Sequence, residues 1–152
     1  MWRARLCLEP FDPAAALAAF AKQIDAGTGA VVTFTGLARG ANRNGLAVET
    51  LFLQHHARLT QRSLDEIAAA GAERFNVAGI DLIHRAGAIA PGEAIVWVAA
   101  AAAHRRAAFE AADYLMDRLK TEALFWKRED GADGSTWVEP TDDDHRERAR
   151  WS

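Results

Sequence analysis

Two lysines in one short stretch are the residues whose type and spacing best fit a chemical role. The 152-residue chain has three lysines, Lys22, Lys120 and Lys127, against fifteen arginines, and two of the three lie seven residues apart in LKTEALFWKRED. An arginine stays protonated, whereas a lysine beside apolar walls and other cations can lose its proton near neutral pH. The change from arginine to lysine therefore indicates a reactive amine or a compact positive charge.

Two further cationic positions lie at the ends of predicted strands. Arg39 follows the strand pattern VVTFTG and opens a polar loop, and His104-Arg105 follows the most apolar strand at the start of a helix. A helix start offers unpaired backbone N–H groups and the positive end of the helix dipole, so an anion is stabilised there. Each of these residues, like Lys120 and Lys127, fits a solvated surface charge when taken alone. Taken together, they indicate a cationic site for an anion.

Other common catalytic patterns are missing from the sequence. It has no glycine-rich phosphate loop, no HExxH motif and no G-x-S-x-G elbow. His55 and His56 are adjacent, so on a strand they face opposite sides and cannot chelate one ion. Cys7 is the only cysteine and lies in a strand pattern, which is typical of a small buried residue. We therefore expect no disulfide and no thiol chemistry, and we find no pattern typical of a metal site.

The composition limits the class of protein. Half of the residues are apolar, the net charge is −3 and the pI is about 5.9. A general binder of nucleic acid or of membrane surfaces would carry a basic excess. The longest apolar run, residues 94–103, is about half the length that a membrane crossing needs. We expect a protein of the reducing cytoplasm that binds neither nucleic acid nor membrane.

The hydrophobic pattern predicts one α+β domain over residues 1–152, in the order β-α-β-β-α-β-β-α-β. Asp12-Pro13 predicts the start of the first helix and Thr60 the cap of the second. Consecutive strands without an intervening helix favour a mixed or antiparallel sheet. The predicted strands cover residues 3–11, 29–36, 47–56, 78–87, 94–103 and 136–140. Three main helices are predicted, and the third covers residues 107–120. Residues 37–45 are predicted to form a loop and residues 141–152 a charged tail.

Five segments occur in an order and spacing that resemble the large, catalytic subunit of molybdopterin synthase, and the match runs from about residue 29 to Trp151. They are GAVVTFTGLAR, HRAGAIAPGE, AHRRAAFEAADYLMDRLK, FWKRE and WVEP. The resemblance implies an α/β-hammerhead-like fold with a small β subdomain. It also implies an enzyme that converts cyclic pyranopterin monophosphate to molybdopterin by installing two sulfurs.

The resemblance further implies the sulfur donor and the assembly. The sulfur comes from the thiocarboxylated C-terminal glycine of a small ubiquitin-like subunit, whose tail enters a pocket of the large subunit. Large subunits form a homodimer, and each binds one small subunit to give a heterotetramer. No metal or other cofactor takes part in this step.

By the same resemblance, Lys120 lies beside the glycine tail and Lys127 acts as general acid or base toward the pterin. Arg39, His104 and Arg105 would clamp the substrate phosphate, and His104 could also move protons. Phe34 and Met116 would line the pocket. The full set of expected substrate-binding residues is Leu37, Ala38, Arg39, His104, Arg105, Lys120, Lys127, Arg128 and Glu129.

The sequence departs from the family pattern at three places. Gln54 replaces an acidic residue, Leu124 replaces a proline and predicts a less rigid loop, and Arg146 is the nearest basic residue after WVEP. Two other hypotheses stay open on the residues. One is a non-catalytic adaptor for a ubiquitin-like tail, and the other is a lysine enzyme that forms a Schiff base with a phosphorylated carbonyl compound.

Overall fold

Four helices and two four-stranded sheets carry the candidate residues, in a computed structural model that describes residues 1–152. The α+β prediction is confirmed. The strands are β1 (Trp2–Cys7), β2 (Ala30–Leu37), β3 (Thr50–His55), β4 (Gly79–Arg85), β5 (Gly87–Ile89), β6 (Ala94–Ala102), β7 (Phe125–Gly131) and β8 (Gly134–Val138). The helices are α1 (Pro13–Ala21), α2 (Ala57–Arg74), α3 (Arg105–Glu122) and α4 (Asp142–Ala149).

The first sheet has the strand order β1-β4-β6-β2 and is covered on both faces. Only β1 and β4 run parallel, and the other pairs are antiparallel. Helices α2 and α3 pack on one face around Leu64, Leu82 and Leu115, while α1 covers the other face through Phe20 and Trp97. The alanines of β6 and α3 lack bulky side chains, so α3 lies close to the sheet. This packing fixes both ends of α3 relative to β6.

The second sheet, of order β5-β3-β7-β8, is antiparallel and contains the FWK segment in its strand β7. Side chains alternate between the two faces of a strand. Phe125, Lys127 and Glu129 therefore share one face. Lys127 lies opposite the buried Leu53 in the ladder, so this face points into the protein.

Several predicted boundaries were wrong, because tertiary contacts define the elements. Helix α2 begins three residues before Thr60, with His56 as its cap, and its Nδ1 accepts the backbone N–H of Leu59 at 3.2 Å. Thr60 lies inside the helix, fully buried, and its hydroxyl donates to the Leu124 carbonyl oxygen at 2.7 Å. Helix α3 starts two residues before the predicted 107. Strands β5 and β7 were not predicted at all.

The C-terminal segment was expected to be a charged tail, but it forms α4 and packs back on α3. A reciprocal capping box between Thr141 and Asp144 starts α4. Arg148 donates to Glu122 at 2.6 Å, and the Trp151 ring meets Tyr114 edge-on with 5.5 Å between ring centroids. The C-terminal segment has no apolar face of its own, and the Trp151 ring together with several ion pairs holds it against α3. No helix of the chain has the length and apolar character that crossing a membrane requires.

Candidate active site

The C-terminal end of α3 and strand β7 bring Lys120 and Lys127 together. Lys127 is half-buried on the inward face of β7, and its pKa is lowered below the ordinary lysine value. Burial is the largest cause, and the neighbouring positive charge of Lys120 is the next. The Glu129 carboxylate on the same face acts in the opposite direction. This coupling of charges supports the sequence prediction that the two amines converge, which stays a prediction.

The loop after β2 adds two arginines to the same region. The charges of Arg39 and Arg43 both lower the Lys127 pKa, after the larger effects of burial and of Lys120. The start of the loop is fixed at the buried Ala38, whose N–H donates to the Glu93 carbonyl oxygen at 2.9 Å. Sequence reasoning overlooked Arg43. Arg43 could have been found from the sequence, because it lies in the same polar loop as Arg39.

The loop itself is folded by its own hydrogen bonds. The Asn42 side chain accepts the backbone N–H groups of Asn44 and Leu46 at 2.9 and 3.0 Å. The Val48 N–H donates to the Gly40 carbonyl oxygen at 3.0 Å, which closes the base of the loop. These bonds hold the backbone of the loop that carries both arginines.

The cations of this region have no carboxylate partner in the chain. Ten of the fifteen arginines form ion pairs, but Arg39 and Arg43 do not, and neither do Lys120 and Lys127. Unpaired cations that lie close together repel one another and create a positive potential. The arrangement therefore favours a bound anion, which would relieve this repulsion.

His104 and Arg105 do not join the lysines within one chain. They are exposed at the N-terminal end of α3, and Lys120 lies near its other end. Fifteen residues of α-helix separate Arg105 from Lys120, which corresponds to about 22 Å. The His104 side chain forms no cap hydrogen bond, so the N–H groups of the first turn are available to an anion. The chain thus carries two separate cationic positions.

The remaining predicted residues lie either on β7, next to Lys127, or on β2 and α3. Glu129 shares the inward face of β7 with Lys127, but Arg128 lies on the opposite face, where it pairs with Asp130 at 2.7 Å and covers the Phe52 ring. A substrate held by Lys127 is therefore out of reach of Arg128 in this conformation. Other predicted residues lie along β2 and α3. Phe34 and Leu37 are exposed on β2, and Met116 is half-buried on α3.

The three departures from the family pattern have structural counterparts. Two hydrogen bonds hold Leu124, from the Thr60 hydroxyl to its carbonyl oxygen and from its N–H to the Ser63 hydroxyl at 3.2 Å. The structure therefore shows a tethered turn where the loss of proline predicted a less rigid loop. Gln54 is exposed and pairs with Trp126 in the ladder, and Arg146 forms an ion pair with Asp143 on α4.

Neither of two surface clefts, of about 350 and 370 Å³, is lined by Lys120 or Lys127, although the second is lined by Thr121, the residue after Lys120. Leu37 contributes to the first of them, beside the N-terminal end of α1. No group of three histidine, cysteine, aspartate or glutamate side chains lies close enough to hold a metal ion. The lysine region can hold an anion and exchange a proton with it through an amine of lowered pKa.

Comparison with known proteins identifies close relatives. The model of the family described as MoaE protein matches residues 6–122. The molybdopterin synthase catalytic subunits of Caulobacter vibrioides and Pseudomonas aeruginosa are 48% and 44% identical over 94% and 93% of this chain, and the match covers 93% of each relative. The solved structure of the molybdopterin biosynthesis MoaE protein from Burkholderia ambifaria superposes with a TM-score of 0.79 at 35% identity, covering 99% of this chain and 98% of that one.

Proposed function

Because the chain belongs to the MoaE protein family, we propose that it is the catalytic subunit of a molybdopterin synthase. It converts cyclic pyranopterin monophosphate to molybdopterin with two sulfurs taken from the thiocarboxylated C-terminal glycine of a small ubiquitin-like subunit. The observation that carries this proposal is the half-buried Lys127, whose pKa is lowered by burial and by the charges of Lys120, Arg39 and Arg43, none of which has a carboxylate partner. Both reactants are anions, and the site offers them positive charge and one amine of lowered pKa.

Lys120 stabilises the charge that develops on the glycine acyl group. The thiocarboxylate sulfur first bonds to a pterin carbon, which gives a thioester between the tail and the pterin. Water then attacks the acyl carbon and places negative charge on its oxygen, and the bond from that carbon to sulfur breaks, leaving the sulfur on the pterin and a carboxylate on the tail. An ammonium group beside this oxygen lowers the barrier most in a site that excludes water. Lys120 is exposed and unpaired at the end of α3, so an incoming peptide tail can reach it.

Lys127 serves as the general acid or base toward the pterin. Its lowered pKa leaves a larger fraction of free amine near neutral pH than an ordinary lysine has. Its place beside Phe125 on the inward face of β7 keeps one side of the amine apolar. Glu129, on the same face, opposes the shift and favours the protonated form of the amine.

His104 and Arg105 clamp the substrate phosphate in the site of a second copy of this chain. A two-fold axis across the middle of α3 sets the N-terminal end of one helix beside the C-terminal end of the other. The exposed apolar side chains Phe34 and Phe109 lie on β2 and α3, which pack together, and β2 is an edge strand with one unpaired side. This face forms the homodimer interface, and each large subunit binds one small subunit to give a heterotetramer in the cytoplasm.

A subunit-mixing experiment tests the shared site. Lys120→Ala chains and His104→Ala/Arg105→Ala chains, each nearly inactive alone, are co-expressed with different tags and purified as a mixture. If the site is shared, half of the dimers are mixed and each has one intact site, so activity recovers to roughly a quarter of wild type. If all these residues serve one site of a single chain, every site keeps a defect and no activity returns.

Reconstitution tests the proposed function. The purified chain is mixed with cyclic pyranopterin monophosphate and a thiocarboxylated small subunit, and the dithiolene product is measured. We expect dithiolene with the thiocarboxylate and none with a small subunit that ends in an ordinary carboxylate. Tail binding without product would favour the adaptor, and trapping of Lys120 or Lys127 by borohydride with a carbonyl compound would favour the Schiff-base enzyme.

A further inference from the structure

His84 is a buried histidine whose ring is held in one orientation next to the lysine site. It lies on β4 and is 8% exposed. Its ring stacks on Phe125 with 4.1 Å between ring centroids and 22° between ring planes. Phe125 begins β7, two residues before Lys127 and five after Lys120. The ring therefore lies against the segment of chain that connects the two lysines.

The hydrogen bonding of His84 fixes its tautomer. Nδ1 lies 2.8 Å from the Arg85 carbonyl oxygen. A carbonyl oxygen can only accept, so Nδ1 carries the proton and Nε2 is left as an acceptor. Burial, together with the nearby charge of Lys120, lowers the pKa of His84 to about 4. The ring is therefore neutral at neutral pH.

Two groups without partners lie in this region, because Phe125 stacks on His84 and packs against the core cluster that includes Leu119, the neighbour of Lys120. Nε2 of His84 accepts no hydrogen bond within the chain. It keeps some access to solvent, because the only fully enclosed side-chain nitrogens without a partner belong to Arg5 and Arg85. The Lys120 ammonium has three donors, no ion pair and no hydrogen bond within the chain, yet its charge acts on His84. An acceptor and a donor that lie near one another and have no other partner are suited to bond.

We propose that His84 is a positioning residue of the active site, and that its Nε2 accepts a hydrogen bond from the Lys120 ammonium. This inference rests on the proposed function, because it concerns the same lysine. A neutral acceptor orients the ammonium and leaves its full positive charge for the anionic tail, whereas a carboxylate in this place would neutralise that charge. His84 acts through Lys120 and does not itself contact the reactants.

Two substitutions separate this role from a structural one. Asn in place of His84 can still donate to the Arg85 carbonyl oxygen, as Nδ1 does, but it has no acceptor at the reach of Nε2. Gln in the same place carries an amide oxygen near the reach of Nε2 but loses the short bond to Arg85. The His84→Asn variant should therefore be more stable than the His84→Gln variant. The His84→Gln variant should have the higher turnover of the two.

The kinetic expectation is a specific loss of kcat. We expect His84→Asn to lower kcat by about tenfold with an unchanged KM for the pterin, because the ammonium is misplaced and the phosphate contacts are intact. We expect His84→Gln to stay within about threefold of wild type. Turnover of His84→Asn that equals or exceeds that of His84→Gln would overturn the proposal.

A spectroscopic measurement decides the contact without any activity assay. The chain has only three lysines, so protein labelled with ¹⁵N-lysine gives at most three side-chain Nζ signals, which Lys→Arg variants assign. In His84→Asn the Lys120 signal should move while the signal of the distant, exposed Lys22 stays in place. An unmoved Lys120 signal would contradict the proposal. If the wild-type complex forms no dithiolene, the proposed function fails, and this spectrum still decides whether His84 holds Lys120.

Discussion

Replacing Lys120 with alanine is expected to lower dithiolene formation by about 10²–10³-fold, the range seen when one group that stabilises a developing oxyanion is removed. The loss should appear in kcat, because the tail and the pterin keep their other contacts. Lys120 is exposed at the end of α3, so the free energy of unfolding should change by no more than about 0.5 kcal/mol. Steady-state kinetics in the reconstituted system measure the first quantity and denaturant unfolding the second.

The arginine variant distinguishes a charge from a titrating amine at position 120. Lys120→Arg keeps the positive charge, so we expect it to retain measurable turnover well above that of Lys120→Ala. Lys22→Ala is the matched control, because Lys22 is the exposed cap residue at the end of α1. Near-normal turnover of Lys120→Ala would remove this residue from the mechanism.

The second large effect concerns Lys127, where charge alone should not suffice. We expect Lys127→Ala and Lys127→Arg to lower turnover alike, by about 10²–10⁴-fold, because a general acid or base must exchange a proton and arginine cannot. The half-buried ammonium is a desolvated charge, so Lys127→Ala should not lower Tm through loss of that charge. Lys127→Arg with turnover within about threefold of wild type would exclude the acid-base role.

The pH dependence of kcat/KM shows whether the free amine or the ammonium form of Lys127 is active. If the free amine is the active form, kcat/KM rises with pH and levels off above the Lys127 pKa, which lies below the ordinary value of 10.5 because of burial and the charges of Lys120, Arg39 and Arg43. Arg43→Gln removes one of these charges. The ascending limb should therefore move to higher pH in Arg43→Gln, and an unmoved limb would show that another group titrates.

Strong local patterns allowed much of the fold to be predicted from the sequence. The β-branched residues of β2, the continuous apolar run of β6 and the 3.6-residue spacing in α3 are intrinsic to their segments. Strand β7 was missed because FWKRED has charged residues on both faces, and its extended form depends on pairing with β3 and β8. Helix α4 was missed because it has no apolar stripe, and its position depends on contacts of Trp151 with α3.

The candidate site was predictable in its residue types and less so in its geometry. Lysine chemistry drew attention to Lys120 and Lys127, and they lie together. The predicted helix 107–120 was already long enough to separate His104 from Lys120, and the dimer proposed above is what would bring them to one site. Arg128 and Glu129 follow Lys127 directly, but the strand sends them to opposite faces. His84 could not be identified, because its role depends on a stacking partner forty-one residues away in the chain.

Zero-length coupling of the small subunit to this chain tests the central claim most directly. In the assembled complex, a carbodiimide activates the C-terminal glycine carboxylate of the small subunit, and the nearest amine forms an isopeptide bond with it. The chain has three lysines, so mass spectrometry of the linked peptides has few possible answers. We predict a link to Lys120, with Lys127 as the only secondary site. A link to Lys22 or to the N-terminal amine, with none to Lys120, would contradict the account.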